Sequence, residues 1–263
     1  MIIITRKDWP ALQREAFSRA NHTSGLLYKG CKPIRTDSSR LSCLQTWTTD
    51  YPIIPREEWP RLIKEGQGSF LKDYNQGLLP SHNQGSTSRC WVHGSVRAME
   101  YLGLWEGKAP QLLSPDSVAY PIEGTRDRGG YPEDACQQIA KFGACRQELW
   151  PERDLSPKRA DPNWKADALY QRLLRWIVPE TFEQQFTLAI YRIPGAIGLG
   201  WWGHLVCALQ PVQIGTREFG LGIDNSWGDD WKDHGYAVLD EESATADLGS
   251  FYPISETWKP CQM

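Results

Sequence analysis

Four residues have the types and order that nucleophilic chemistry on an acyl group would need: Gln84, Cys90, His204 and Asn225. Cys90 closes the segment Asn83-Gln84-Gly85-Ser86-Thr87-Ser88-Arg89-Cys90 and is followed by Val92, Val96, Met99 and Leu102 at helical spacing. A thiol at a helix start feels the positive end of the helix dipole and several backbone amides, which lower its pKa and favour the nucleophilic thiolate. Read alone, however, a cysteine is more often a buried, inert side chain. His204 lies in the apolar run Trp201-Trp202-Gly203-His204-Leu205-Val206, where a lone imidazole is usually a hydrogen-bonded core residue. Beside a thiolate, the same imidazole can hold an ion pair and later protonate a leaving amine. Asn225 follows 21 residues further on, in Asp224-Asn225-Ser226-Trp227-Gly228. It reads as a turn residue by itself, or as a group that orients the imidazole under the shelter of Trp227. Gln84 alone is a loop glutamine.

The elements that must position these residues are short, because 23 glycines and 18 prolines interrupt the chain. A helix is expected after Asp8, with Trp9, Leu12, Ala16 and Phe17 on one face. Residues 22–49 lose any pattern, so residues 1–50 read as an N-terminal extension and residues 51–263 as the main domain. Further helices are expected from Pro55, from Cys90 with one strongly buried face, from Ser114-Pro115, and over 132–141 and 167–176. Runs over 205–209, 218–223 and 236–239 read as strands. Helices followed by strands predict an α+β fold.

With 263 residues, 40% of them hydrophobic and 23% charged, the chain is long enough for a sizeable core and is not a disordered one. A net charge of −3 without runs of one sign argues against nucleic acid or an anionic membrane as partner. The longest apolar stretch is broken by His204 and falls short of a membrane span. No secretory signal is evident, and a cytoplasmic protein with reduced thiols is expected. The seven cysteines contain no CxxC pair and only five histidines accompany them, so neither a metal site nor a cofactor is expected.

Taken together, the motifs resemble those of the papain-like (C1 type) cysteine peptidases. Their signature runs P-x-x-N-Q-G-x-C-x-S-C-W, then G-G-Y-P, then H-x-V, then N-S-W-G-x-x-W-x-x-x-G-Y. This chain has Pro80 to Gly85, Cys90-Trp91, Gly129-Gly130-Tyr131-Pro132, His204-Leu205-Val206 and Asn225-Ser226-Trp227-Gly228 with Trp231, Gly235 and Tyr236. The match runs from about Tyr51 to the C-terminus, roughly four-fifths of the chain, and is weakest between Gly130 and His204. The resemblance implies a two-lobed fold, a helical lobe followed by a β-rich lobe, with the cleft between them. It also implies Cys90 as nucleophile, His204 as general base and acid, Asn225 as the residue orienting His204, and Gln84 as oxyanion donor. Gly129 and Gly130 would offer backbone to an extended peptide or protein substrate, and Trp227 would cover the Asn–His contact.

The departures from that pattern carry expectations of their own. Thr87 and Asp127 stand where secreted relatives have paired cysteines, so these segments should meet without a covalent link. Arg89 replaces a serine and would place a charge at the mouth of the site. Trp202 and Leu205 are larger than the residues that wall the family's pocket for the second substrate residue, so that pocket should be shallow unless the Trp202 ring turns into the core. The rival reading is a papain-fold module kept as a structural or binding part of a larger assembly, such as a viral particle, docked through its N-terminal extension.

Overall fold

The computed structural model describes residues 1–19, 42–47, 51–173, 175–245 and 247–254. In chain order the described elements are β1 (Ile3–Ile4), α1 (Trp9–Arg19), β2 (Leu44–Thr46), α2 (Trp59–Glu65), α3 (Leu71–Asn75), α4 (Cys90–Trp105), α5 (Pro115–Glu123), α6 (Pro132–Phe142), α7 (Trp164–Tyr170), β3 (Arg175–Val178), α8 (Phe182–Ile190), β4 (Gly195–Leu199), β5 (His204–Gln213), β6 (Phe219–Asp224), β7 (Tyr236–Asp240) and β8 (Ser250–Ile254). The strands form one sheet in the order β1-β7-β6-β5-β4-β8-β3-β2. Among the described residues no helix is long and apolar enough to cross a membrane.

Alternation along β5 divides the interior in two. Successive strand side chains point to opposite faces, so Leu205, Cys207 and Leu209 join a core with Trp91, Val96 and Ile139 of α4 and α6. Val206 and Ala208 face a second core with Trp59, Phe186 and Ile223. The sheet thus carries one core on each face. The helix α8, capped by Thr181, whose hydroxyl accepts from Gln184 N at 3.2 Å, lies between strands in sequence and covers the sheet face opposite α4.

Several local expectations change. The helix expected over 167–176 ends at Tyr170, and Trp176 lies in β3, buried beside β8 and β2. There the Arg175-Trp176-Ile177-Val178 run follows β-branched and aromatic preference. A 3₁₀ turn over Arg6–Asp8 leads into α1, and its cap is Thr5 rather than Asp8: Thr5 N and Oγ1 donate to the Asp8 carboxylate at 2.9 and 3.1 Å. Residues 1–19 are built into the sheet domain, since β1 pairs with β7 in parallel and Ile4, Leu12 and Ala16 enter the second core. Most of the stretch 22–49 lies outside the described residues, but β2 within it pairs with β3.

The α4 helix is buried on more than one face. Its buried residues include Arg97 and Glu100 beside Val96 and Met99, which corrects the single buried face expected from its apolar spacing.

Candidate active site

Packing sets Cys90 and His204 level with each other. Gly94, one turn into α4, lies so close to β5 that a Cβ there would meet Leu205 Cδ2 at 2.1 Å and the Val206 backbone at 3.3 Å. One turn further, Arg97 Nε donates to Asp224 Oδ2 at 2.7 Å, and Asp224 pairs with Cys207 across the sheet. The helix thus runs in the same sense as β5, and its first residue, Cys90, comes to the end that His204 opens. No acidic residue occupies the first turn of α4, so the positive end of its dipole remains available to a thiolate.

His204 Nε2 is 2.7 Å from Asn225 Oδ1. The bond requires the proton on Nε2 and directs the other ring nitrogen elsewhere. The Trp227 ring lies 5.0 Å from the imidazole and the Trp202 ring 4.9 Å, which shelters the bond from water. Burial pushes His204 down to about 4, against the raising effect of the Asn225 bond, and the Arg19 cation lowers it further. That guanidinium lies 4.7 Å over the Trp227 ring, so the last residue of α1 stands at the site. Replacing Arg19 by alanine is expected to raise the His204 ionisation, because a nearby cation disfavours imidazolium. Isotope-edited NMR titration of the ring in a Cys90→Ala background checks this, and an unmoved or lower midpoint contradicts it.

Gln84 is tied to the same corner. Its backbone N–H donates to Ser226 O at 2.8 Å, its Oε1 accepts from Ser226 Oγ at 2.6 Å, and its Nε2 donates to Thr87 O at 2.6 Å. An amide nitrogen carries two hydrogens, so it can serve the Thr87 carbonyl and a second acceptor together. Asp127 Oδ1 accepts from Ser88 N at 2.7 Å, a non-covalent tie between the two segments that Thr87 and Asp127 mark. Among the described cysteines, Cys43, Cys90, Cys136, Cys145 and Cys207, none is in a disulfide; Cys31 and Cys261 lie outside the described residues.

Three expectations about neighbouring residues change. Arg89 is fully buried rather than set at the mouth of a site. Its guanidinium pairs with Asp116, donates to Glu123 Oε1 at 2.8 Å and to Gly124 O at 3.0 Å, because a buried charge requires partners. The Trp202 ring turns into the core between Trp201, Trp227 and Trp231, and Leu205 fills the hollow left by Gly94. Neither side chain walls an open pocket, so the shallow-pocket expectation loses its basis. Gly129 and Gly130 are buried, and a Cβ on Gly130 would meet the Trp91 ring at 2.3 Å. Close packing behind Cys90 thus requires that glycine.

The sequence reading missed a buried charge network behind the site. Arg97 joins Asp224, Glu100 (Oε2 at 2.9 Å) and Leu79 O (3.0 Å), while Tyr101 and Ser81 donate to Asp224 at 3.0 and 2.7 Å. His82 lies between Glu100 and Glu152, at 3.0 and 2.9 Å. Burial opposes a charge on His82, yet the two carboxylates raise it to about 9. The i,i+3 spacing of Arg97 and Glu100 was the available signal, but it reads equally well as a solvated surface pair.

No protein-family model matches the chain. It is 26% identical to papain of Carica papaya over 209 residues, which is 67% of this chain and 57% of that protein; the chain thus spans just over half the length of this relative. Among solved structures, xylellain, a cysteine protease from Xylella fastidiosa, superposes with a TM-score of 0.57 at 17% identity, covering 68% of this chain and 84% of that one. Bromelain from Ananas comosus, in complex with the E64 inhibitor, gives 0.57 at 17%, covering 71% and 98%. Procathepsin L 3 of Tenebrio molitor larval midgut gives 0.61 at 13%, covering 95% and 90%. The fold is that of the papain-like cysteine peptidases. In sequence the chain is similar to papain at the 26% level given above.

Proposed function

We propose that the chain is a cysteine peptidase that hydrolyses peptide or isopeptide bonds with Cys90, His204, Asn225 and Gln84. The observation that carries this reading is the sheltered 2.7 Å His204–Asn225 bond at the strand end level with the start of α4. In the first half-reaction the Cys90 thiol passes its proton to His204 Nδ1 as its sulfur attacks the carbonyl carbon of an extended peptide. The carbonyl electrons move to oxygen, where Cys90 N–H and the Gln84 amide receive the charge. His204 then protonates the leaving amine, giving a thioester. Water, deprotonated by His204, attacks the thioester, and the acid leaves as the thiol is restored. The orienting bond from Asn225 keeps the reacting ring nitrogen toward the thiol.

Turnover of a fluorogenic peptide library tests the reading. Gln84→Ala is expected to lower kcat with a smaller change in KM, by about 2–4 kcal/mol of transition-state stabilisation. Asn225→Ala is expected to be milder than Cys90→Ala. Equal kcat for wild type and Gln84→Ala would remove Gln84 from the site. A library without any cleaved member, together with no labelling of Cys90 by a thiol-directed peptide probe, would favour the rival module without turnover.

A further inference from the structure

Beside the triad, and unused by the proposed reaction, His82, His93 and Glu152 each present a donor atom, and the three atoms lie within 4.8 Å of one another. His82 Nδ1 is 2.9 Å and His93 Nδ1 4.0 Å from the same oxygen, Glu152 Oε2. Both histidines are buried, and Nδ1 of His93 has no hydrogen-bond partner among the described residues. An imidazole nitrogen sealed from water without a partner is costly, and this one lies 4.0 Å from Glu152 Oε2. The outer shell is already in place. His82 Nε2 is 3.0 Å from Glu100 Oε1, a carboxylate fixed by Leu113 N at 2.6 Å and by Arg97 at 2.9 Å. A metal-binding histidine characteristically gives its second ring nitrogen to such a carboxylate. A cavity of about 10 Å³ adjoins both histidines and reaches Asn225 and Ser226.

We propose that His82 Nδ1, His93 Nδ1 and Glu152 Oε2 form a binding site for one zinc-class divalent cation, with the fourth position open to water. Two imidazoles and a carboxylate are a donor set that zinc accepts in tetrahedral geometry, and donors at about 2.0–2.1 Å from such an ion stand roughly 3.3 Å apart. The 4.0 Å separation of His93 and Glu152 then closes by somewhat under an ångström, within reach of side-chain rotation. On capture the ion takes the lone pair of His82 Nδ1, and the proton held there leaves to solvent. The bound ion would tie Glu152 to α4. Glu152 also accepts from Asn83 N at 3.1 Å, next to Gln84, so occupancy would fix the loop that carries the oxyanion donor. The sequence points away from a metal because its cysteines form no CxxC pair and these three donors are eleven and more residues apart with no motif spacing.

The test uses tag-free, full-length Cys90→Ala protein, which lacks the thiol that could itself bind metal with His204. Equilibrium dialysis with Zn²⁺ should give one equivalent bound and a higher Tm. Co²⁺ should give visible d–d bands without a thiolate charge-transfer band. His93→Gln and Glu152→Gln, made in the same background and checked for folding by circular dichroism, should each weaken binding at least tenfold. If His93→Gln fails to fold, Glu152→Gln and the Co²⁺ spectrum decide. Absence of stoichiometric binding to Cys90→Ala, a thiolate band, or affinity unchanged in a folded variant would overturn the site.

Discussion

Cys90→Ala is expected to lower kcat by roughly a million-fold on any peptide the wild-type chain cleaves, the scale seen when a nucleophile is removed and only binding and oxyanion donors remain. The fold should survive. Cys90 is fully buried, but the change removes one heavy atom, a cost of about 1 kcal/mol on the scale of a buried methylene. His204→Ala should produce a comparable loss, and the double variant should be no worse than either single one, because nucleophile and base act as a unit. Steady-state kinetics on purified variants, with circular dichroism to confirm folding, checks the effect. A Cys90→Ala protein within tenfold of wild type would contradict the mechanism.

Arg97→Met is expected to destabilise the fold by about 3–5 kcal/mol, the scale for breaking a buried ion pair from one side. Arg97 is almost fully buried and is shared by Asp224 and Glu100, so its removal leaves two carboxylates without their common cation. A domain of this kind has about 5–15 kcal/mol of stability in total, so the loss is a large share. The damage should also reach the site, because Asp224 immediately precedes Asn225 at the end of β6. Urea unfolding, followed through the midpoint and slope, measures the loss. Arg97→Met with Asp224→Asn should cost less than the sum of the two singles, since the second change relieves part of what the first exposes. A loss below 1 kcal/mol for Arg97→Met would show that the network is not a stability element.

The motifs around Cys90, His204 and Asn225 were legible in the sequence because each keeps its own local spacing, and short runs such as 236–239 announced strands as apolar stretches bounded by turn residues. Features that depend on chain segments far apart were not legible. The burial of Arg89 depends on Asp116 and Glu123, supplied by α5. The turn of Trp202 into the core depends on Trp227 and Trp231, more than twenty residues away. Residues 1–19 read as part of an extension, although their helix was legible, because the patternless stretch 22–49 separates them from the main domain. In the structure Ile4, Leu12 and Ala16 complete a core built by the far end of the chain, and Trp9 stacks on Trp201 at 4.7 Å. The α8 helix went unread because Phe186, Leu188 and Ile190 also fit a strand's alternation, and only its Thr181–Gln184 cap marks the helix.

The proposed chemistry requires Cys90 to be the reactive thiol, and the pH dependence of alkylation tests this most directly. Burial raises the other described cysteines, Cys43, Cys136, Cys145 and Cys207, above the ordinary thiol range, so none of them offers a thiolate near neutrality. Iodoacetamide modification of the native chain, followed from pH 5 to 9 with peptide mapping, should therefore label Cys90 rapidly well below the ordinary thiol pKa of about 8.5. His204→Ala should remove that low-pH reactivity. Labelling of Cys90 only above pH 8, or at the same rate with and without His204, would contradict the activation of the Cys90 thiol by His204 that attack on the peptide carbonyl needs.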